Sequence, residues 1–310
     1  MRLHNDVDAF RELISIVAAY KHLPESAIER DYYIVLLLKN LAESEYADRC
    51  VFKGGTSLSK CYPGSIERFS EDIDLTYLGM EESDKVCDRT IKKIEAVITE
   101  GAQTEKITEE RSNRSKSMFI WFDNKDNKVK LEIGSSVRPE PYSEKVIKTY
   151  IQEFLEQHDG EDDIAKYDLS EIRLNVLDIE RTFIDKLMAV KRHAICGAIG
   201  RKVRHIYDVE RLYKMPEIQD FIKNDAKFGQ LMRMAKETDS FYLTKRNINK
   251  EYDPTGAYDF DVWKCRLDAD VRKTYESLHE ELLYTDEKQN LDDAIDAFEK
   301  INSRLAEIGE

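Results

Sequence analysis

Residues 52–75 read FKGGTSLSKCYPGSIERFSEDIDL, and the end of this stretch sets a local geometry. Asp72-Ile73-Asp74-Leu75 alternates acid and apolar side chains, the period of a half-buried strand. Successive strand side chains face opposite ways, so Asp72 and Asp74 share one face, roughly 7 Å apart, while Ile73 and Leu75 turn to a core. Two carboxylates on a rigid strand suit a divalent cation that is shared with phosphate oxygens. Upstream, Gly54-Gly55 follows the apolar pair Val51-Phe52 and precedes Thr56-Ser57-Leu58-Ser59-Lys60. Paired glycines let a backbone approach a phosphate closely. Thr56 or Ser57 would then open a helix whose N–H groups and positive dipole end favour an anion. Either half alone is commonly a tight turn or a solvated strand end. In succession they describe a phosphate cradle beside a carboxylate pair.

Working outward, residues 5–46 predict two helices divided near Pro24, with Phe10, Leu13, Ile14, Val17 and then Ile34, Leu37, Leu38, Leu41 on their inner faces. They are expected to cover a sheet. A strand near Val51, the glycine turn and a short helix through Cys61 follow, then the carboxylate strand. Lys85–Ile98 has the spacing of an amphipathic helix with Val86, Ile91, Ile94 and Val97 inward, and residues 104–111 suggest a weaker strand. Ser117–Phe122 and Lys128–Gly134 flank the polar turn at residues 123–127, a hairpin signal. In the returning arm Val129, Leu131 and Ile133 fall on one face, and Lys128, Lys130 and Glu132 on the other. A lone Glu132 is commonly a solvent-facing strand residue. On the same face as Asp72 and Asp74 it becomes a third carboxylate.

From about residue 178 the pattern is helical, over 179–195, 203–214, 217–236, 259–283 and 289–308, with a loop at Asn247–Gly256. The expected fold class is therefore α+β. A domain of residues 1–178, with a mixed sheet flanked by helices, would be followed by a mainly helical domain of residues 179–310.

Charge and cysteine content narrow the function. The 310 residues carry 48 Lys and Arg against 62 Asp and Glu, a net charge of −14, so nucleic-acid binding would need a local basic patch. One exists between Arg181 and His205, where Arg181, Lys186, Lys191, Arg192, Arg201, Lys202 and Arg204 oppose only Asp185. Arg233, Lys236, Lys245, Arg246 and Lys250 extend it, with Phe241 and Tyr242 interleaved. Such a surface suits a polyanion such as RNA, and equally balances the acidic stretch Glu276–Glu299. Five cysteines without CxxC spacing point to reduced thiols rather than disulfides or zinc. The start of the chain lacks the layout of a signal peptide, and the longest apolar run, Tyr32–Leu38, is too short to span a bilayer. A cytoplasmic location with no membrane partner is expected.

The order Gly54-Gly55, then Asp72-Ile73-Asp74, then Leu131-Glu132-Ile133 resembles the polymerase-β-type nucleotidyltransferase superfamily, although the sixteen residues between Gly55 and Asp72 are more than usual there. The longer wording, Gly54–Lys60 followed by Arg68–Leu75, resembles the AbiEii/AbiGii family of nucleotidyltransferase toxins of type IV toxin–antitoxin and abortive-infection systems. Glu180–Ala189 and Arg204–Val209 also fit, and the resemblance spans roughly residues 50–215. It implies Asp72, Asp74 and Glu132 as ligands of Mg²⁺, with Mn²⁺ as the alternative. Gly54, Gly55, Thr56 and Ser57 would then bind phosphate, joined by Ser70 and Lys60, and the helical domain would contribute Lys186 and Asp208 to the active site. By periodicity alone, Lys186 and Asp208 only border apolar helical stripes, and His193 and His205 read as surface residues.

The implied activity moves a nucleoside monophosphate from an NTP to an acceptor such as the 3′ end of tRNA, as a toxin with a cognate antitoxin. A small-molecule or protein hydroxyl is the alternative acceptor. A non-catalytic NTP-binding module is the alternative class, against which the three carboxylates argue.

Overall fold

The computed structural model describes residues 1–244, 251–281, 283–284 and 288–310. Its contacts divide the chain into two units, one of residues 1–61 and 69–177, the other of residues 62–68 and 178–310. The first unit opens with helices α1 (Val7–Lys21) and α2 (Glu25–Ala42). Asp6 caps α1 by accepting the Ala9 N–H, and His22 ends it at a left-handed φ of 54°. There follow β1 (Cys50–Lys53), α3 (Gly54–Cys61), β2 (Asp72–Tyr77), α4 (Asp84–Ile98), β3 (Gln103–Lys106), β4 (Ser115–Trp121) and β5 (Val129–Gly134). Then come β6 (Tyr142–Ile147), the short helices α5 (Tyr150–Gln157) and α6 (Glu161–Tyr167), and β7 (Ile172–Leu177).

The strands form one mixed seven-stranded sheet in the order β3-β4-β5-β2-β1-β7-β6, so the class is α+β. β2 lies inside it, antiparallel to β1 and parallel to β5. Ile73, Leu75, Leu131 and Ile133 are all buried, which fixes the register, because a slip of one residue would turn these apolar side chains to solvent. On the other face the register sets Asp72 beside Lys130 and Asp74 beside Glu132. Phe10, Ile14 and Val17 of α1, Tyr32 and Leu36 of α2, and Ile151 and Leu155 of α5 form a separate apolar cluster, and α2 also reaches β5 and β7.

Several expected details change. The inner stripe of α4 is Cys87, Ile91, Ile94 and Ile98, whereas Val86 is 42% exposed. The spacing 87, 91, 94, 98 keeps one helical face, and Val86 lies about 100° from it. The weaker strand is only Gln103–Lys106 and gives way to a 3₁₀ turn at Thr108–Glu110. The segment from β6 to β7 had no expected element, yet β7 pairs in parallel with β1.

The second unit contains α7 (Ile179–Ile195), α8 (Val203–Tyr213), α9 (Pro216–Lys223), α10 (Asp225–Thr244), α11 (Phe260–Trp263), α12 (Ala269–Glu276), α13 (Leu278–Glu281) and α14 (Leu291–Glu307). The single helix expected over 217–236 is two, because Asn224 is extended and its side chain accepts the Lys227 N–H. The expected 259–283 helix is also interrupted, and Asp268 caps α12 by accepting the N–H groups of Asp270 and Val271. The segment 62–68 belongs here through a β-bridge between Arg68 and Leu283 and a bond from the Tyr284 N–H to the Glu67 carbonyl. Residues 247–250 of the expected loop, Lys245 and Arg246 lie outside the described residues, as do the side chains of Tyr242 and Glu281 and, in the acidic stretch, Asp286 and Glu287.

Candidate functional site

In the first unit the glycine turn and the carboxylate strand meet. Gly54 has φ +87°, a left-handed conformation that favours glycine. A Cβ there would lie 2.2 Å from Asp74 Oδ2 and 3.2 Å from Asp74 Cβ, so it would displace the Asp74 carboxylate. Thr56 Oγ1 donates to the Asp72 carbonyl at 2.5 Å and lies 3.0 Å from Ser70 Oγ. Ser57 Oγ donates to the Gly54 carbonyl at 3.0 Å, and both Thr56 and Ser57 are buried. Their hydroxyls therefore brace the turn against β2. What the start of α3 offers an anion is its backbone N–H groups.

Lys60 does not join this cradle. Its ammonium lies 2.6 Å from Asp31 Oδ1, with side-chain exposures of 3% and 6%, and 4.0 Å from the Tyr150 ring centroid. Asp31 also accepts the Tyr150 N–H at 2.7 Å. A buried lysine needs a carboxylate partner more than a solvated one does, and the pair ties α3 to α2 and to the start of α5.

Glu132 stands beside Asp74 in the sheet, but Lys130 Nζ lies 2.5 Å from its Oε1 and 2.8 Å from Glu110 Oε2. Among the described residues no group of three or more His, Cys, Asp or Glu is gathered to hold a metal. The donor set still fits Mg²⁺. That ion takes hard oxygen ligands and is usually held by one or two carboxylates and substrate phosphates rather than by a complete protein cage. Asp72 and Asp74 supply two such carboxylates on one face, with the glycine turn against the second.

In the second unit Lys186 and Asp208 are brought together. Lys186 Nζ donates to Asp208 Oδ2 at 2.7 Å. Arg68, which the sequence did not single out, donates from Nε to Oδ1 at 2.6 Å and from its terminal nitrogen to Oδ2 at 2.7 Å. Asp208 is fully buried. Burial alone would raise its carboxyl, but Arg68 and Lys186 hold it well below the usual carboxylate range. His205 is half-buried rather than freely exposed, and its Nδ1 is buried without a hydrogen-bond partner among the described residues. Burial, with Lys186 adding to it, pushes this imidazole well below its usual range.

The basic stretch is largely satisfied internally. Arg181 pairs with Asp185, Lys186 with Asp208, and Arg192 with both oxygens of Asp239 at 2.7 Å. Lys191 is buried and donates to the Ala257 carbonyl at 2.6 Å. Burial, reinforced by Lys236, lowers its ammonium to about 8 against the opposing pull of Asp253, Asp259 and Asp239. Arg233 and Lys236 both bind Glu310. Arg201 and Arg204 are exposed and Lys202 is half-buried, so among the described residues the expected patch shrinks to these three.

The family model for the AbiEii nucleotidyl transferase toxin of type IV toxin–antitoxin systems matches residues 36–300. No curated protein matches the chain. Among solved structures, MenT4, a nucleotidyltransferase toxin from Mycobacterium tuberculosis H37Rv, is similar at 17% identity with a TM-score of 0.52, over 96% of this chain and 99% of that one. At that identity the likeness bears on the fold. JHP933 from Helicobacter pylori is similar at 18% identity and TM-score 0.40, over 89% of this chain and 99% of that one.

Proposed function

Because the chain belongs to the AbiEii family of nucleotidyltransferase toxins of type IV toxin–antitoxin systems, we propose that it moves a nucleoside monophosphate from an NTP to RNA, at the 3′ end of tRNA, with Mg²⁺ on the carboxylate face. Mn²⁺ is the alternative cation. The protein acts in the cytoplasm and is countered by a cognate antitoxin. No described helix is long and apolar enough to cross a membrane.

One observation carries this reading: Gly54 abuts Asp74 so closely that a Cβ there would displace its carboxylate, and Asp74 is the register partner of Glu132. The turn that would hold phosphate is thus set against the carboxylates that would hold the cation. When bound, Mg²⁺ would neutralise triphosphate charge and lower the pKa of the attacking hydroxyl. Asp72 and Asp74 would hold it, with Glu132 completing the set. The backbone N–H groups of Gly54, Gly55, Thr56 and Ser57 would orient the β- and γ-phosphates, with Ser70 bracing Thr56. Lys186 would set a point charge against phosphate oxygens. Asp208 acts through Lys186 as a positioning residue, because both of its oxygens are engaged and it is fully buried. The acceptor hydroxyl gives up its proton to solvent water as its oxygen bonds to the α-phosphorus, and pyrophosphate leaves with the electron pair of the broken P–O bond. Among the described residues, Arg201, Lys202 and Arg204 are the cations of the basic stretch left to meet an RNA backbone.

The test incubates the protein with each α-labelled NTP, Mg²⁺ and total cellular RNA. Label in tRNA, lost with Asp72→Asn, is the expected result. Label only in protein or a small molecule would replace the RNA acceptor, and no transfer with any NTP would remove the proposal.

A further inference from the structure

The third carboxylate of the proposed set is already held. Lys130 and Glu132 project from the same face of β5, since Val129, Leu131 and Ile133 between and beside them are buried. Lys130 Nζ bridges Glu132 Oε1 at 2.5 Å and Glu110 Oε2 at 2.8 Å, and Lys130 is the register partner of Asp72. Glu132 is therefore turned along its own strand toward Lys130.

We propose that Lys130 is a built-in counter-ion for Glu132, holding that carboxylate until a divalent cation reaches Asp72 and Asp74 and then yielding it while staying paired to Glu110. The proposal rests on the cation-binding reading given above. The chemistry permits the exchange. Side chains of Lys130, Glu132 and Glu110 are 21%, 43% and 42% exposed, so the Lys130–Glu132 pair is solvent-screened and weak. A divalent ion bound by two further carboxylates outcompetes a single ammonium in such surroundings. Glu110, on the 3₁₀ turn at Thr108–Glu110, gives the released ammonium a partner, so the exchange strands no charge. Lys130 is thus a positioning residue that sets cation affinity through Glu132.

The test is a Mn²⁺ titration of the full chain, followed by the electron paramagnetic resonance signal of free Mn²⁺, with no nucleotide present. Lys130→Met should tighten Mn²⁺ binding roughly two- to fivefold, the range of a screened ion pair. Lys130→Gln should do the same, and melting curves should match wild type. In a Glu132→Gln background, Lys130→Met should have no effect, because the carboxylate it releases is gone. Glu110→Gln should weaken binding by leaving Lys130 wholly to Glu132. An unchanged or weaker affinity in Lys130→Met would overturn the proposal. So would an equal gain with and without Glu132, which marks a general field effect rather than competition for that carboxylate. Asp72→Asn separates the two levels. If it binds Mn²⁺ like wild type, the cation reading itself falls, whereas normal sensitivity to Asp72→Asn with an additive Lys130–Glu132 cycle removes only the role of Lys130.

Discussion

The carboxylates of β2 and the carboxylate of Asp208 are fixed by opposite means. Asp72 and Asp74 are half-buried and stand where the sheet register and the buried Ile73 and Leu75 put them. Asp208 is fully buried and is gripped by Arg68 and Lys186 through three bonds of 2.6–2.7 Å. The β2 carboxylates stay partly solvated on a face that the sheet register sets. Asp208 is buried and satisfied within the protein, where loss of one partner leaves an uncompensated ion. Substitutions should therefore separate function from stability at the first cluster and entangle them at the second.

The sharpest break comes at the strand. Asp72→Asn or Asp74→Asn is expected to cut transfer by a hundredfold or more, roughly the several kcal/mol that metal-ion catalysis supplies. Thermal melts should stay near wild type, because the strand does not depend on those charges for its packing. Gly54→Ala should lose transfer as well, through its positive φ and the 2.2 Å clash with Asp74. Wild-type rates in either Asp variant would dissolve the contrast from the functional side.

At the buried cluster Asp208→Asn should cost about 3–5 kcal/mol of stability, the usual penalty for stripping one partner from a buried ion network. Urea unfolding is the check. A variant that unfolds like wild type would mean that Arg68 and Lys186 find other partners, and Asp208 would then belong with the solvated carboxylates. Lys186→Ala exposes the other side of the contrast. It should lower kcat or raise the KM for NTP and also lower the melting temperature, since Asp208 would stay buried with Arg68 as its remaining cationic partner.

The same division explains how much of the site was legible in the sequence. A strand that alternates Asp72, Ile73, Asp74, Leu75 declares its faces through a period of two, and the β4–β5 hairpin declares Glu132 in the same way. Lys186 and Asp208 came from the family wording, because nothing in a 3.6-residue pattern joins residues 22 positions apart. Arg68 was in view within the quoted stretch, but its partner lies 140 residues on. Lys60 was misplaced for that reason too, since Asp31 belongs to another helix. The basic stretch misled most. A count of neighbouring charges sees only Asp185, whereas Arg192 is matched by Asp239, 47 residues away. The break at Asn224 shows the complementary failure, where apolar spacing runs on through a residue whose side chain starts a new helix.

A smaller effect tests burial in the second unit through pH. Lys191 has its ammonium lowered to about 8 from an ordinary value of 10.5, with burial as the main cause. Between these values the unfolded chain binds more protons than the folded one, so stability contributed by this group rises with pH from about 8 to 10.5 and is lost as pH falls through 8. Wild type should therefore gain on Lys191→Met across that window in paired melts. Parallel curves would mean that Lys191 titrates normally and is less confined than its contact with the Ala257 carbonyl requires.

The smallest effect concerns RNA, and it extends the contrast to the surface. If Arg201, Lys202 and Arg204 meet the phosphate backbone, each contact should release counterions, and affinity should fall with salt by roughly 0.7–0.9 in log–log slope per phosphate neutralised. Replacing all three by alanine should flatten the slope by about two units and reduce transfer to RNA, because exposed cations contribute little to stability. Lys191 and Arg192 belong to the same basic run in sequence but are held by Ala257 and Asp239. Their replacement should leave the slope unchanged and lower the melting temperature instead. A salt titration of tRNA binding on the two variants distinguishes the roles. If the Lys191 and Arg192 variant flattens the slope and the surface variant does not, then charge buried within the helices reaches the RNA after all, and the boundary between solvated and satisfied charge lies elsewhere.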